Sequence, residues 1–188
     1  LEFTIASFVG GKGTIWLDDL HFEPLPPETF VFPDPRIKAS TEEPGHAAGL
    51  MTDHKTETFW NSKGTKGQVL LVDFKQKREF GGLQISWQPG FAAAAFAVYL
   101  SDDSLHWSKA CQVSRNQSHT SFIRLTEAEA RFLKIAFPDQ AEQKAFGIRE
   151  LRFQDVRSTL TQNDFLIDAA KHDQAGNYPA YFLDKATY

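Results

Sequence analysis

From Ile37 onward the apolar residues recur in short runs at alternate positions. Leu83, Ile85 and Trp87 form one such run, and Phe96, Val98 and Leu100 another. Ile123 with Leu125, then Leu133, Ile135 and Phe137, then Leu151 with Phe153 continue the series. A period of two puts successive side chains on opposite faces, so each run predicts a strand with one face buried. The stretch Val69–Phe74 is almost continuously apolar and predicts a strand buried on both faces. Turn formers separate the runs at Gly81-Gly82, at Gln88-Pro89-Gly90 and at Asp102-Asp103. Strands of this length and spacing predict an all-β sandwich. Between two of them, Thr126 to Ala130 reads as at most one helical turn, with Thr126 and Glu129 as a capping box.

The two ends have a different texture. Residues 1–23 alternate on either side of Gly10-Gly11-Lys12-Gly13 and predict a β-hairpin. Its segment Gly11-Lys12-Gly13-Thr14-Ile15-Trp16-Leu17-Asp18-Asp19-Leu20 resembles the last two strands of a jelly-roll carbohydrate-binding domain, which would make it the end of a preceding domain; the alternative is an edge hairpin of the sandwich itself. Residues 24–35 hold Pro24, Pro26, Pro27, Pro33 and Pro35. Such a stretch resists both helix and central strand and predicts an extended linker. The sandwich then spans residues 36–155. Residues 156–188 form a tail with a short helix around Phe165–His172, too little chain to build its own core. The tail reads as the lead-in to a following domain, and the whole as a fragment of a larger protein.

Composition narrows the function. A formal net charge of −4 with no cluster of Lys or Arg argues against nucleic acid and against an anionic membrane surface. No apolar run approaches the ~20 residues that a membrane-spanning helix needs. The single cysteine, Cys111, excludes an internal disulfide and reads as a small core residue. The acid pairs Asp18-Asp19, Asp102-Asp103 and Glu127/Glu129 do not flank a cleft as glycosidase carboxylates must. The six histidines show no zinc-binding spacing. No catalytic constellation is legible, so the chain reads as a non-enzyme.

The stretch Asp53-His54-Lys55-Thr56-Glu57-Thr58-Phe59-Trp60-Asn61-Ser62 offers a carboxylate, a hydroxyl and turn carbonyls close together. Phe146 to Phe153 is strand-like and carries one acid, Glu150. Between them stand Trp87, the turn Ser101-Asp102-Asp103-Ser104-Leu105-His106-Trp107, and Arg131-Phe132-Leu133-Lys134-Ile135. In that order these segments resemble the discoidin, or coagulation factor V/VIII type C, family, which includes the family 32 carbohydrate-binding modules. The resemblance covers about residues 36–155 and departs at His54, where the family carries Gly, and at Lys55, where it often carries Asp or Asn. It implies a galactose-binding-like jelly-roll β-sandwich with the hairpin before it and the partly helical tail after it. It also implies a structural calcium ion held by carbonyls of Met51 and Lys55, by Asp53, by Thr58 and by Glu150. Oxygen donors of this kind suit a hard cation. The plain alternative is a metal-free turn in which Asp53 caps its own backbone.

Trp60 and Trp107 occupy positions that pack in the family and read as core. Trp87-Gln88-Pro89-Gly90-Phe91 leaves a strand and enters a loop, where aromatic rings can stack on the apolar face of a sugar. Trp87, Gln88 and Phe91 are therefore the candidate ligand residues, unless Phe91 simply covers the end of the sandwich. The Arg and Asn that galactose-binding relatives carry in this region are missing between Trp87 and Phe96. The expected function is carbohydrate binding as an accessory module of a multidomain glycoside hydrolase-like protein, secreted, periplasmic or on the cell surface. Its partners are a carbohydrate and the neighbouring domains of the same polypeptide. The alternative is a spacer or protein-contact domain without a ligand.

Overall fold

Eight strands, two 3-10 turns and one α-helix make up the described part of the protein: β1 (Arg36–Ala39), a 3-10 turn (Ala48–Thr52), β2 (Trp60–Asn61), β3 (Val69–Trp87), β4 (Phe96–Ser101), β5 (Ser108–Val113), β6 (Thr120–Ala136), β7 (Gly147–Gln154), a second 3-10 turn (Val156–Thr159), α1 (Gln162–His172) and β8 (Pro179–Phe182). The computed structural model describes residues 32–141, 144–172 and 179–182. The expected hairpin of residues 1–23 and most of the Pro-rich linker lie outside them. The chain parts into two units, Leu1–Phe32 and Pro33–Tyr188, and every element named above belongs to the second.

The strands pair in the order β2-β7-β3-β6-β4-β5, with β1 also on β3 and β8 also on β6. Two strands, β3 and β6, stay paired through both layers of the sandwich. The first part of β3 (Leu70 to Asp73) lies between β1 and β6, whereas its last part (Gly82 to Trp87) lies between β7 and β6. The change of partner falls where the β3–β6 register slips, between Asp73 and Arg78 and again between Phe80 and Gly82. Lys75 takes a left-handed φ of 67° there, and its N–H is bonded to Asp73 Oδ1 at 2.8 Å. An extra residue with positive φ is how an antiparallel ladder turns a corner.

Gly81 and Gly82 are therefore not a turn between strands, as the dipeptide suggested, but the crowded inner part of β3. A Cβ on Gly82 would lie 2.3 Å from the Ile123 carbonyl oxygen, and one on Gly81 would lie 1.4 Å from Thr159 Oγ1. The second correction concerns residues 126–130. They continue β6 and do not form a helical turn, because the β3 ladder at Arg78 to Phe80 offers their backbone partners. Local helix propensity loses to sheet pairing here. The Val69–Phe74 run alternates in burial, with Leu70, Val72 and Phe74 fully inside.

The core joins Trp60, Phe74, Phe80, Trp87, Phe96, Phe137 and Phe146 with aliphatic residues of every long strand. Cys111 is buried in it, as expected. Trp60 is fully buried and donates its indole N–H to the Thr41 carbonyl. Trp107 is only half-buried. Its ring carries the Lys134 ammonium 4.1 Å from the centroid, so it is a surface cation–π partner more than a core residue.

The tail docks on the sandwich. The α1 helix opens with Thr161 and Asp164 bonded reciprocally, the Asp164 N–H to Thr161 Oγ1 at 3.1 Å and the Thr161 N–H to Asp164 Oδ2 at 3.1 Å. This is a capping box with Asp in the third position. Phe165 and Ala169 of α1 bury themselves against Phe122 of β6, and β8 pairs with β6 in parallel.

Gly82→Ala should destabilise the domain by about 3 kcal/mol, because its new methyl meets backbone and not a movable side chain. Gly49→Ala, where a Cβ meets nothing within 4 Å, should change little. Urea unfolding of the two variants checks the difference.

Candidate functional site

The outer face of the β6–β3–β7 layer is polar and opens into a cleft of roughly 310 Å³. Strand pleating dictates the arrangement. Leu83, Ile85, Ile123 and Leu151 point into the core, so their neighbours point away from it. Ser86 stands opposite Thr120 on one side and Glu150 on the other, and Gln84 stands opposite Phe122 and Arg152. The β3–β7 register slips between Ser86 and Trp87, leaving Arg149 as the extra residue of β7. A bulge of this sort re-aims a side chain, and here adjacent Arg149 and Glu150 both line the cleft. Lys55 and Thr56 form one rim, Pro89 and His119 another, and His172 at the end of α1 a third.

The two arginines are held by their neighbours. Arg149 donates from Nε to Gln88 Oε1 at 2.7 Å. Arg152 donates from Nε to Gln84 Oε1 at 3.0 Å and from Nη2 to Asp168 Oδ2 at 2.9 Å. Asp168 also accepts from Gln154 Nε2 at 2.8 Å, and its backbone carbonyl lies 2.8 Å from His172 Nδ1. Burial works to raise the Asp168 carboxyl, but hydrogen bonds from Gln154 and Arg152 and the Arg152 charge outweigh it and hold it below the ordinary range. This network ties α1 to β7.

Beside the cleft lies the loop that the sequence marks for a metal. Asp53 closes the first 3-10 turn, and His54 follows at φ 59°. That is the left-handed conformation a Gly would adopt freely; a His held there costs about 1 kcal/mol. The Lys55 N–H donates to Asp53 Oδ1 at 3.0 Å. The Thr58 hydroxyl lies 2.9 Å from each Asp53 oxygen and 3.1 Å from the Lys55 carbonyl. Glu150 reaches this loop from β7, with Oε1 3.2 Å from His54 Nδ1. Burial pushes the Glu150 carboxyl up; His54 opposes that shift and the Asp53 charge adds to it.

Asp53, Thr58 and the Lys55 carbonyl are thus joined in one loop, and Glu150 meets that loop at His54. Met51 is buried, so only its backbone oxygen is a candidate. The chemistry of this donor set fits a hard cation, since two carboxylates whose charges oppose each other gain from a positive charge between them. Among the described residues no three Asp, Glu, His or Cys side chains gather as a metal cluster, so any such ion would lean on carbonyl and hydroxyl oxygens.

The loop expectation needs correction at Trp87. This residue is 3% exposed, its indole N–H bonds Ser121 Oγ at 2.9 Å, and its ring packs on Phe96 and Phe137. It floors the cleft and offers no open face for stacking. Gln88 spends its side-chain oxygen on Arg149. Phe91 is half-buried and sits over Gly147, where an added Cβ would lie 3.0 Å from Phe91 Cβ. Sequence reasoning missed Gln84, Ser86, Thr120, Arg149 and Arg152 as a group. The only trace was the pair of arginines flanking Glu150 in Gly147-Ile148-Arg149-Glu150-Leu151-Arg152. The acids of the Ser101–Trp107 turn have structural work instead. Asp103 accepts from the His106 ring and from the N–H groups of His106 and Leu105, which hold its carboxyl far below the usual range. Asp102 and Glu129 both grip Lys77 at 3.1 Å.

The sequence model of the F5/8 type C domain matches residues 36–151. The chain belongs to the F5/8 type C domain family. Solved structures with the same fold include chitosan-binding module 2 of a Paenibacillus chitosanase/glucanase, in complex with chitotriose; it is 17% identical, with a TM-score of 0.59 over 63% of this chain and 95% of that one. A family 32 carbohydrate-binding module of Clostridium perfringens in complex with GalNAc-β-1,3-galactose is 15% identical, with a TM-score of 0.58 over 64% of this chain and 94% of that one. A pectin-binding module is 14% identical, with a TM-score of 0.54 over 78% of this chain and 96% of that one. Identities this low show a shared fold. No curated protein matches the chain in sequence. In this F5/8 type C domain Arg152 and His172, which line the cleft, and Asp168, which holds Arg152, lie past the matched span.

Because the Glu150 carboxyl titrates above its unfolded value, the folded state binds more protons than the unfolded one in the window just above the ordinary carboxylate range. Stability tied to this group is full below that window and is lost as pH rises through it. Glu150→Gln should therefore stabilise the domain at neutral pH in chelator and flatten this decline. If Glu150 holds calcium, the same variant should also abolish any rise in Tm on adding calcium. Melting curves across pH, with calcium and with chelator, read both effects.

Proposed function

We propose that this domain is a non-catalytic carbohydrate-binding module that serves a larger glycan-active protein outside the cell, and that it takes its sugar in the cleft on the β6–β3–β7 face. The observation that supports this is the row of donors and acceptors on three adjacent strands, Thr120, Ser86 and Glu150, then Gln84 and Arg152, with Arg149 beside them. Sugars present hydroxyls at fixed spacing, and a rigid sheet face is a suitable template for them. A volume of roughly 310 Å³ lies at the small end of ligand pockets, which start near about 300 Å³. The solved relatives bound to chitotriose and to a galactose-containing disaccharide use the same fold, which agrees with this assignment. Calcium, held by Asp53, Glu150, the Thr58 hydroxyl and the carbonyls of Met51 and Lys55, would neutralise the two carboxylates and fix the loop that forms the rim. The burial of Trp87 favours the other reading, a spacer or protein-contact domain, only for the Trp87–Phe91 loop and not for the cleft.

Two variants test the assignment. Ser86→Val should leave the sandwich folded and remove glycan binding, read by amide chemical-shift changes at Gln84, Thr120 and Arg149 on titration with oligosaccharides. Phe91→Ala should cost about 1–2 kcal/mol in urea unfolding, below the 3–5 kcal/mol of a fully buried Phe, and should weaken binding only if its ring touches the sugar. A Ser86→Val variant that binds as well as the parent protein would refute the cleft as the site.

A further inference from the structure

We propose that the cleft selects a sugar carrying an anionic group, a carboxylate or a sulfate, with Arg149 as the residue that reads it. This deepens the carbohydrate-binding assignment and rests on it. The charge of the lining carries the inference. The whole chain has a formal net charge of −4, yet the cleft is lined by Lys55, Arg149 and Arg152 and by a single acid, Glu150. His54, His119 and His172 add imidazole nitrogens around the rim. Arg152 is half-neutralised by Asp168 at 2.9 Å. Arg149 is not: its bond is the neutral one to Gln88, which occupies Nε and fixes the fork. Its two terminal nitrogens have no acceptor among the described residues.

A guanidinium held this way is half-prepared for a ligand. Its orientation is set by Gln88 and by the β7 bulge, so little side-chain entropy is lost when an anion arrives. The remaining N–H groups match the two oxygens of a carboxylate or sulfate in a bidentate contact, stronger than a bond to a neutral hydroxyl. Lys55 at the rim supplies a second positive charge. Ser86 and Thr120, side by side on the same face, line the cleft with hydroxyls for the sugar ring.

The test uses the full 188-residue chain and three probes: trigalacturonate, its fully methyl-esterified form, and a sulfated galactan oligosaccharide. Affinity is read by calorimetry, and the site by amide shifts in the cleft. Esterification keeps every ring hydroxyl and removes only the charge. The proposal expects trigalacturonate or the sulfated oligosaccharide to bind about tenfold or more tighter than the ester, with affinity falling as salt is raised. Which charged probe binds identifies the anionic group. Arg149→Gln should erase the preference, and Arg149→Lys should restore part of it; unchanged amide spectra outside the cleft confirm that both variants fold. If the ester, or neutral chitotriose, binds in the cleft as tightly as the charged probes, the anionic preference falls and the carbohydrate-binding assignment stands. If neither charged nor neutral glycans move the cleft signals, both fall.

Discussion

Everything in this domain depends on β3 belonging to two layers at once. β3 keeps β6 beside it along its length but exchanges β1 for β7, so it must bend without losing its ladder, and the bend is made between Asp73 and Gly82. The protein stabilises that corner from both sides. Outside, Arg131 lies on the Asp73 carboxylate at 3.2 Å; burial would raise this carboxyl, but the bonds from Arg131 and the Lys75 N–H leave it below its usual range. Inside, the Arg78 guanidinium lies 4.6 Å from the Phe74 ring centroid and 5.7 Å from that of Phe153. Phe74 meets Phe153 edge-on with centroids 4.9 Å apart. Aromatic and cation–π contacts of this kind each add on the order of 1 kcal/mol beyond area burial. They bind the corner of β3 to β7, the strand that carries the cleft.

The cleft follows from that geometry. Once β3 has crossed into the β6–β3–β7 layer, Gln84 and Ser86 face away from the core because Leu83 and Ile85 face into it. The slip of register at Trp87 then brings Arg149 and Glu150 to the same side. The helix α1 completes the wall by two different means, apolar contact at Phe122 and the Asp168 network at Arg152. Acidification works against the second of these, because a carboxylate held below its ordinary range loses its stabilising effect as pH falls through its folded value. The apolar contact does not titrate.

The strand content was legible because each strand buries one face, which prints a period of two on the sequence. Leu83/Ile85/Trp87 and Phe96/Val98/Leu100 are clear instances. The corner was not legible, because Gly81-Gly82 serves equally well as a turn and as a place where another backbone comes close; only Ile123 and Thr159, far off in sequence, decide between them. The Thr126–Ala130 segment misled for a related reason, since its helix-like composition is overridden by a partner strand. At the site, the sequence links the Asp53–Thr58 loop to Glu150 only through the family resemblance, and in the structure Glu150 meets that loop at His54. The cleft residues were not legible, because Thr120, Ser86 and Arg152 become neighbours only through strand register, and Trp87, at a strand end before a Pro-Gly turn, is drawn inside by Ser121, which is 34 residues away in sequence.

The parallel pairing of β8 with β6 does more than lengthen a sheet. The first part of β6 has β3 on one side, and on its other side the backbone from Thr120 to Ile123 would present unpaired N–H and C=O groups in a row. Such a margin recruits strands from other molecules, and Phe122, fully buried as the domain stands, would give an incoming strand an apolar ring to cover. With β8 alongside and Tyr181 stacked on Phe122 at 5.5 Å, this margin is sealed by the protein's own chain. A stretch of four residues, Pro179–Phe182, thus occupies the place that a strand from another molecule would need, while the polar face on the β3 side of β6 stays open.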